Sequence, residues 1–364
     1  MFEPASRRPF RPLTAARDPV LDSLEEFEFV VSGEARPTLP QMPLPQKTVE
    51  IMREVRLLRP AFVLYTGDSV WGYNAGRQEF INDLDRFRSA ADETGVPLFN
   101  APGNHEMQSD PEAISIVQQR GQDLYGSFDV GDYHFIALNT DEFCKEGRVT
   151  DEQLEWLRAN LAEHRDARGM FVFMHRPIFS WFQGDFNPDD AEVLQALFRE
   201  HAVRGVFASH DHFFHREDHD GVAYMTVGGG GAPLYAQPPS GGFAHYVLVG
   251  VSPGGIDYNV VEPGHVRVDH TAGNDGIEPL TIARIANTSD RDLTLRALPF
   301  RVPRLESSDR YELSVEYVDW ERKQPEVTPR LRSVRDLNDG SVELSVEVEL
   351  PTGVAFRVRA EARL

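Results

Sequence analysis

The chain of 364 residues carries one cysteine, Cys144. A single thiol permits neither an intrachain disulfide nor a thiolate metal cage, and it suits the cytoplasm without excluding export. Basic residues are scarce as well, with 37 Lys and Arg against 58 Asp and Glu and a formal net charge of -21. That excess repels polyphosphate backbones, so general nucleic-acid binding is not expected. No uncharged apolar run reaches the roughly 18 residues that a membrane span needs. Ser6-Arg7-Arg8-Pro9-Phe10 has the paired arginines of an export signal, but Arg11, Pro12, Arg17 and Asp18 leave no apolar stretch behind it. Residues 1–27 are therefore expected to be a poorly ordered extension.

Apolar residues make up 41% of the chain, enough for a real core in two domains. Between residues 28 and 264, strand-like runs alternate with helical periods, the order of an α/β layered domain. The runs are Phe29 to Val31, Ala61 to Tyr65, Val96 to Phe99, Phe171 to Met174 and Val206 to Ala208. Helical spacing joins Val49, Met52 and Val55, then Ile81, Leu84 and Phe87, then Val193, Leu194, Leu197 and Phe198. Thr150 followed by Gln153 has the pattern of a capping box opening another helix. A hairpin from Ser127 to Asn139, turning near Gly131-Asp132, predicts a mixed sheet. Residues 265–364 change to strict alternation, as in Val342, Leu344, Val346 and Val348, which predicts a β-sandwich-like module.

Polar residues punctuate the strand ends of the first region. Asp68 follows Gly67, Asn104-His105-Glu106 follows Gly103, His175 follows an apolar run, and Ser209-His210-Asp211-His212 closes the series. Carboxylate, amide and imidazole groups at one sheet edge suit divalent first-row metals, and such a site makes hydroxide from water near neutral pH. Hydrolytic chemistry is the expectation. Adjacent residues rarely ligate the same ion, so Asn104 is assigned to a metal and His105 to a proton or a phosphoryl oxygen. His210 and His212, two apart in an extended segment, point to one side and reach neighbouring ions. Glu106 either orients the His105 imidazole or is a solvated surface carboxylate. Aromatic residues crowd these motifs, and Trp181 and Phe182, beside the loop-like Gln183-Gly184-Asp185, are the candidates for a substrate-pocket wall. Gly228 to Gly231 reads as a flexible turn, or as a run that lets backbone approach the substrate.

On these motifs the chain resembles the calcineurin-like metallophosphoesterase superfamily, especially the bacterial branch grouped with purple acid phosphatases and cyclic-nucleotide phosphodiesterases. The likeness covers roughly residues 28–261 and includes Leu138-Asn139-Thr140 and Gln153-x-x-Trp156-Leu157. It implies a four-layer α/β/β/α sandwich with two mixed sheets, a dinuclear centre of manganese, iron or zinc, and hydrolysis of a small phosphomonoester or phosphodiester. By motif, Asp68 would bridge the metals, Asn104, His175 and His210 would complete one site, and His212 would belong to the other. His105 would protonate the leaving oxygen or steady the transition state.

Two departures stand out. The family's Asp-x-His reads Glu34-Ala35-Arg36 here, and Ser209 replaces the glycine of Gly-His-x-His. Glu34 keeps a carboxylate with one more methylene, so the site beside it is expected to be the weaker one. Arg36 has no lone pair to offer; it either clamps a substrate phosphate or locks Glu34 in a salt bridge. The competing expectation is a binding or scaffold protein that keeps the fold around a degenerate site.

Overall fold

The computed structural model describes residues 10–11, 13, 18–180, 186–272, 281–305, 311–317 and 326–362. They fall into two compact units, Met1–Met52 with Pro60–Val261, and Arg53–Arg59 with Glu262–Leu364.

The strands of the first unit are β1 (Phe10–Arg11), β2 (Phe27–Ser32), β3 (Phe62–Tyr65), β4 (Leu98–Asn100), β5 (Gly126–Val130), β6 (Tyr133–Ala137), β7 (Asp141–Glu142), β8 (Lys145–Glu146), β9 (Gly169–Phe173), β10 (Val203–Ala208), β11 (Phe214–His219), β12 (Val222–Val227), β13 (Tyr246–Ser252) and β14 (Gly255–Val261). The helices are α1 (Gln46–Leu58), whose residues from Arg53 onward are grouped with the second unit, α2 (Arg77–Thr94), α3 (Asn104–Met107), α4 (Pro111–Gln119), α5 (Asp151–Glu163) and α6 (Pro188–Glu200).

One six-stranded sheet runs β1-β4-β3-β2-β13-β14, parallel as far as β2 and antiparallel beyond it. The other runs β11-β12-β10-β9-β6-β5, with a parallel centre and an antiparallel strand at each edge. Both sheets are mixed, as the Ser127 to Asn139 hairpin predicted. Strand alternation sorts β3 into two faces: Phe62 and Leu64 enter the core between the sheets, while Tyr65 meets Phe87 of α2 on the outer face. In the inter-sheet core Phe29 stacks on Phe62, their centroids 5.1 Å apart, and Phe135 and Phe171 pack against them. Burying each such ring stabilises the fold by about 1.5–3 kcal/mol. On the far face of the second sheet, Leu157 and Leu161 of α5 and Leu194 and Phe198 of α6 cover Ile136, Val172 and Val206. The result is the four-layer α/β/β/α sandwich.

Three local expectations need correction. Thr150 does sit at the N-cap of α5, but its side chain makes no cap bond. Gln153 instead brackets the Asn139 backbone, accepting from Asn139 N at 2.8 Å and donating to Asn139 O at 2.9 Å. A buried amide that satisfies two backbone groups outcompetes the local cap. Gly228 to Gly231 is packed rather than flexible: a Cβ at Gly228 would lie 1.9 Å from Asp211 O, and one at Gly230 would lie 1.9 Å from Gly33 O. Of the N-terminal extension, Phe10–Arg11 pairs with β4, and Leu13 and Leu21 are buried in the inter-sheet core.

The second unit continues with β15 (Val266–Ala272), β16 (Thr281–Asn287), β17 (Leu293–Pro303), β18 (Tyr311–Tyr317), β19 (Arg330–Asp336), β20 (Ser341–Leu350) and β21 (Ala355–Ala362). Its antiparallel sheets run β15-β16-β21-β18 and β17-β20-β19. Val342, Leu344, Val346 and Val348 bury the inward face of β20, as the alternation predicted. No described helix is long and apolar enough to cross a membrane.

Candidate metal centre

Each polar motif leaves a strand at the same end of the two sheets. Glu34 follows β2, Asp68 follows β3, Asn104 opens α3 after β4, His175 follows β9, and His210 follows β10. Three of them hold left-handed backbone, Glu34 at φ 64°, Asp68 at 58° and His210 at 65°. Such conformations are costly for side-chain-bearing residues and cluster at functional sites, where the surrounding structure enforces them. The loops meet through glycine: a Cβ on Gly103 would stand 2.2 Å from Asp68 Oδ1.

Tautomers and amide orientation follow from the fixed partners. His175 Nδ1 faces the Thr66 carbonyl at 2.9 Å, so it carries the proton and Nε2 presents a lone pair. The Asn104 amide nitrogen donates to Tyr73 Oη at 3.1 Å, which turns Oδ1 inward. His175 Nε2 then lies 2.8 Å from Asn104 Oδ1, 3.1 Å from His210 Nδ1 and 3.4 Å from Asp68 Oδ1. Mutual spacings near 3 Å are those of neighbouring ligands around one ion with bonds of about 2.0–2.2 Å. This donor set fits a divalent cation.

The other side is different. His212 Nδ1 faces Pro233 O at 2.6 Å and its Nε2 lies 3.0 Å from Glu34 Oε2. Arg36 faces both: Nη2 is 3.3 Å from His212 Nε2, and Nε is 3.7 Å from Glu34 Oε2 and 3.6 Å from Asp68 Oδ2. Arg36 Nε has no hydrogen-bond partner. Tyr235 Oη accepts from Arg36 Nη2 at 3.3 Å, and the Tyr235 ring stacks on His212. The guanidinium also lies over the Trp71 ring, 5.3 Å from its centroid. Burial alone would raise the pKa of Glu34, but the pull and hydrogen bond of His212, followed by the electrostatic influence of His175 and Arg36, outweigh it and hold the carboxyl well below the usual range. Ligand atoms for a second cation are present here, but a guanidinium confronts all of them, so this side does not fit a second ion.

His105 stands at the rim with Nδ1 on the Trp71 carbonyl and Nε2 3.7 Å from Asp68 Oδ2. Its backbone N donates to Asp68 Oδ1 at 3.0 Å. Burial lowers its pKa, against an upward pull from Asp68.

Neither expectation for Glu106 holds. It is fully buried, and it accepts from Asp68 N at 3.0 Å, Ser69 N at 2.6 Å and Gly103 N at 2.9 Å, tying two site loops together. Burial, reinforced by Asp68, pushes its carboxyl up to about 7. Ser209 is more than a tolerated replacement: its hydroxyl donates to Thr66 O at 2.7 Å, the carbonyl that fixes His175. Trp181 and Phe182 lie outside the described residues.

Arg176 was not anticipated. Its Nη1 stands 3.2 Å from His210 Nε2, and its Nε donates to Asp141 at 2.7 Å. Asn139 Oδ1 accepts from Asp141 N, and Thr140 Oγ1 accepts from Arg176 N, so the Leu138-Asn139-Thr140 segment supports this arginine. The position directly after His175 was the available signal. A second His and Asp group, Asp129, His134 and His164, is structural, since both His134 nitrogens are taken by Asp129 and Asn160.

Residues 45–214 match the family model described as calcineurin-like phosphoesterase. The Bos taurus protein described as serine/threonine-protein phosphatase CPPED1 is 30% identical over 169 residues, 42% of this chain and 54% of the relative, so the chain spans about half that relative's length. Purple acid phosphatase PPD1 from yellow lupin (Lupinus luteus) is similar in structure, with a TM-score of 0.52 and 16% identity over 73% of this chain and 52% of that one. GAP50, described as the anchor in the inner membrane complex of Plasmodium, gives a TM-score of 0.51 and 14% identity over 66% of this chain and 86% of that one. At these identities the two structures show a shared fold alone.

Proposed function

Because residues 45–214 match the family model described as calcineurin-like phosphoesterase, we propose that the chain hydrolyses a small phosphomonoester or phosphodiester at the cluster around Asp68. The catalytic domain in this reading is residues 28–264, followed by the β module of 265–364. The observation that carries it is the convergence of Asp68, Asn104, His175 and His210 on one point, with spacings of 2.8–3.4 Å from His175 Nε2. Manganese, iron or zinc suits this mixed donor set, and a bound ion supplies Lewis-acid polarisation and acidifies water near neutral pH.

The remaining work belongs to the chain. Thr66 and Tyr73 fix His175 and Asn104 so that their lone pairs point inward. His105 keeps one proton on Nδ1 against the Trp71 carbonyl, which leaves Nε2 as the atom that exchanges a proton with the departing oxygen. Arg36 and Arg176 set positive charge beside the cluster in a chain whose net charge is -21, a local field that attracts a phosphoryl group.

The test is hydrolysis of para-nitrophenyl phosphate and its bis ester by the full chain, dialysed free of metal and then supplied with manganese, zinc or iron. Turnover that appears with metal and disappears with a chelator supports the reading, and the preferred ester assigns monoesterase or diesterase. No turnover with any of the three overturns it in favour of a second reading, a binding or scaffold protein. Arg36, where the family carries a histidine ligand, is the observation that favours that alternative.

A further inference from the structure

We propose that the Arg36 guanidinium stands in for one cation of a two-ion centre, so that the chain holds a single divalent ion beside a fixed positive charge of its own. The inference rests on the metal-binding half of the function proposed above, not on turnover. Three atoms that would embrace a second ion, Glu34 Oε2, Asp68 Oδ2 and His212 Nε2, face the same side chain at 3.7, 3.6 and 3.3 Å. A guanidinium stays protonated at any working pH and offers no lone pair, so it adds charge where a histidine would add a ligand.

Arg36 is also held in place. Its side chain is about nine-tenths buried, Nη2 reaches Tyr235 Oη at 3.3 Å, and the plane lies over Trp71. An ion entering between Glu34 and His212 would meet a like charge within a few ångströms or expel the arginine from this slot. The carboxylates of Glu34 and Asp68 are already partly neutralised by that charge. One divalent ion on the Asn104 side is then enough to make the cluster net positive. The Arg36 Nε, which has no hydrogen-bond partner, lies 3.7 Å from Glu34 Oε2 and 3.6 Å from Asp68 Oδ2, so its charge is set against both carboxylates at once.

Metal content of the full chain tests this without measuring turnover. Loaded with manganese and dialysed, the wild type is expected to retain about one ion per chain by mass spectrometry and to give the spectrum of an isolated Mn(II) by electron paramagnetic resonance. Glu34→Asp combined with Arg36→His restores the family's ligand pair and is expected to retain about two, with a spin-coupled spectrum. Arg36→Met, which removes the charge and supplies no ligand, is expected to take a second ion more weakly. Two ions in the wild type overturn the inference, as does an ion-free wild type. A folded double variant that stays at one ion, with its unfolding transition unchanged, overturns it as well. A wild type that holds one ion but hydrolyses neither ester keeps this inference and overturns the hydrolytic function alone.

Discussion

The two sides of the cluster use similar residues to opposite effect. Around His175 the inward atoms of Asp68, Asn104 and His175 present electron pairs that suit a cation. Around His212 the same kinds of donors are met by Arg36, so the cation is already covalently present. A buried carboxylate needs compensating charge, and in the proposed reading this chain meets it by two routes within a few ångströms of each other, a bound ion and an arginine.

The largest effect expected from breaking this contrast is on the His175 side. His175→Ala removes a donor that no neighbour replaces, and both bound metal and ester hydrolysis should fall by more than the roughly 10–100-fold that loss of an outer partner costs. Metal analysis together with a rate assay reads this; full metal retention would remove His175 from the centre. His105→Ala removes no ligand and keeps the backbone N–H that donates to Asp68 Oδ1, so metal content should persist while kcat falls about 10²–10⁴-fold. An unchanged kcat would leave His105 without a catalytic part.

Histidine burial without carboxylates offers the control. His175 is pushed down by burial, but Asp68 and Glu34 outweigh this and raise its pKa. His245, fully buried with its Nδ1 on Phe243 O at 2.8 Å, has no such neighbours and is pushed down to about 4. Its folded pKa lies below the ordinary 6.5, so the stability it contributes is fully present above pH 6.5 and is lost as pH falls toward 4. The loss amounts to about 3 kcal/mol at most. Chemical unfolding across that window should show a shallower acid slope for His245→Gln than for the wild type. The smallest effect is expected from Tyr235→Phe, which removes one hydroxyl partner of Arg36. It should weaken phosphate binding by no more than about tenfold, in line with about 1 kcal/mol for one hydrogen bond, and leave metal content unchanged.

Much of this architecture was readable in the chain. Runs such as Phe171 to Met174 and the spacing of Leu194, Leu197 and Phe198 gave strands and helices, because period two and period 3.6 reflect burial directly. Ligand candidates were readable because they follow strands, and β2, β3, β4, β9 and β10 all deliver their ends to one crevice. What escaped were contacts between segments far apart in sequence. Gln153 looked like a cap because its true partner, the Asn139 backbone, lies 14 residues upstream. Glu106 looked like an accessory to its neighbour because the loop it anchors, at Asp68 and Ser69, becomes adjacent only after folding. Arg36 left two options open, and the structure shows it beside both Glu34 and Asp68 while leaving its Nε–H unpaired.

The left-handed backbone at Glu34, Asp68 and His210 bears on how this protein tolerates change. Glycine would relieve the backbone at all three positions, but at two of them it would leave a buried N–H unpaired, that of His210 facing Glu34 and that of His105 facing Asp68. Each such replacement would delete a group from the centre. Exposed left-handed positions such as Asp220 and Asn338 carry no such side-chain duty, so a directed-evolution campaign scored only on melting temperature would be expected to gain there and to leave the site's backbone strain in place.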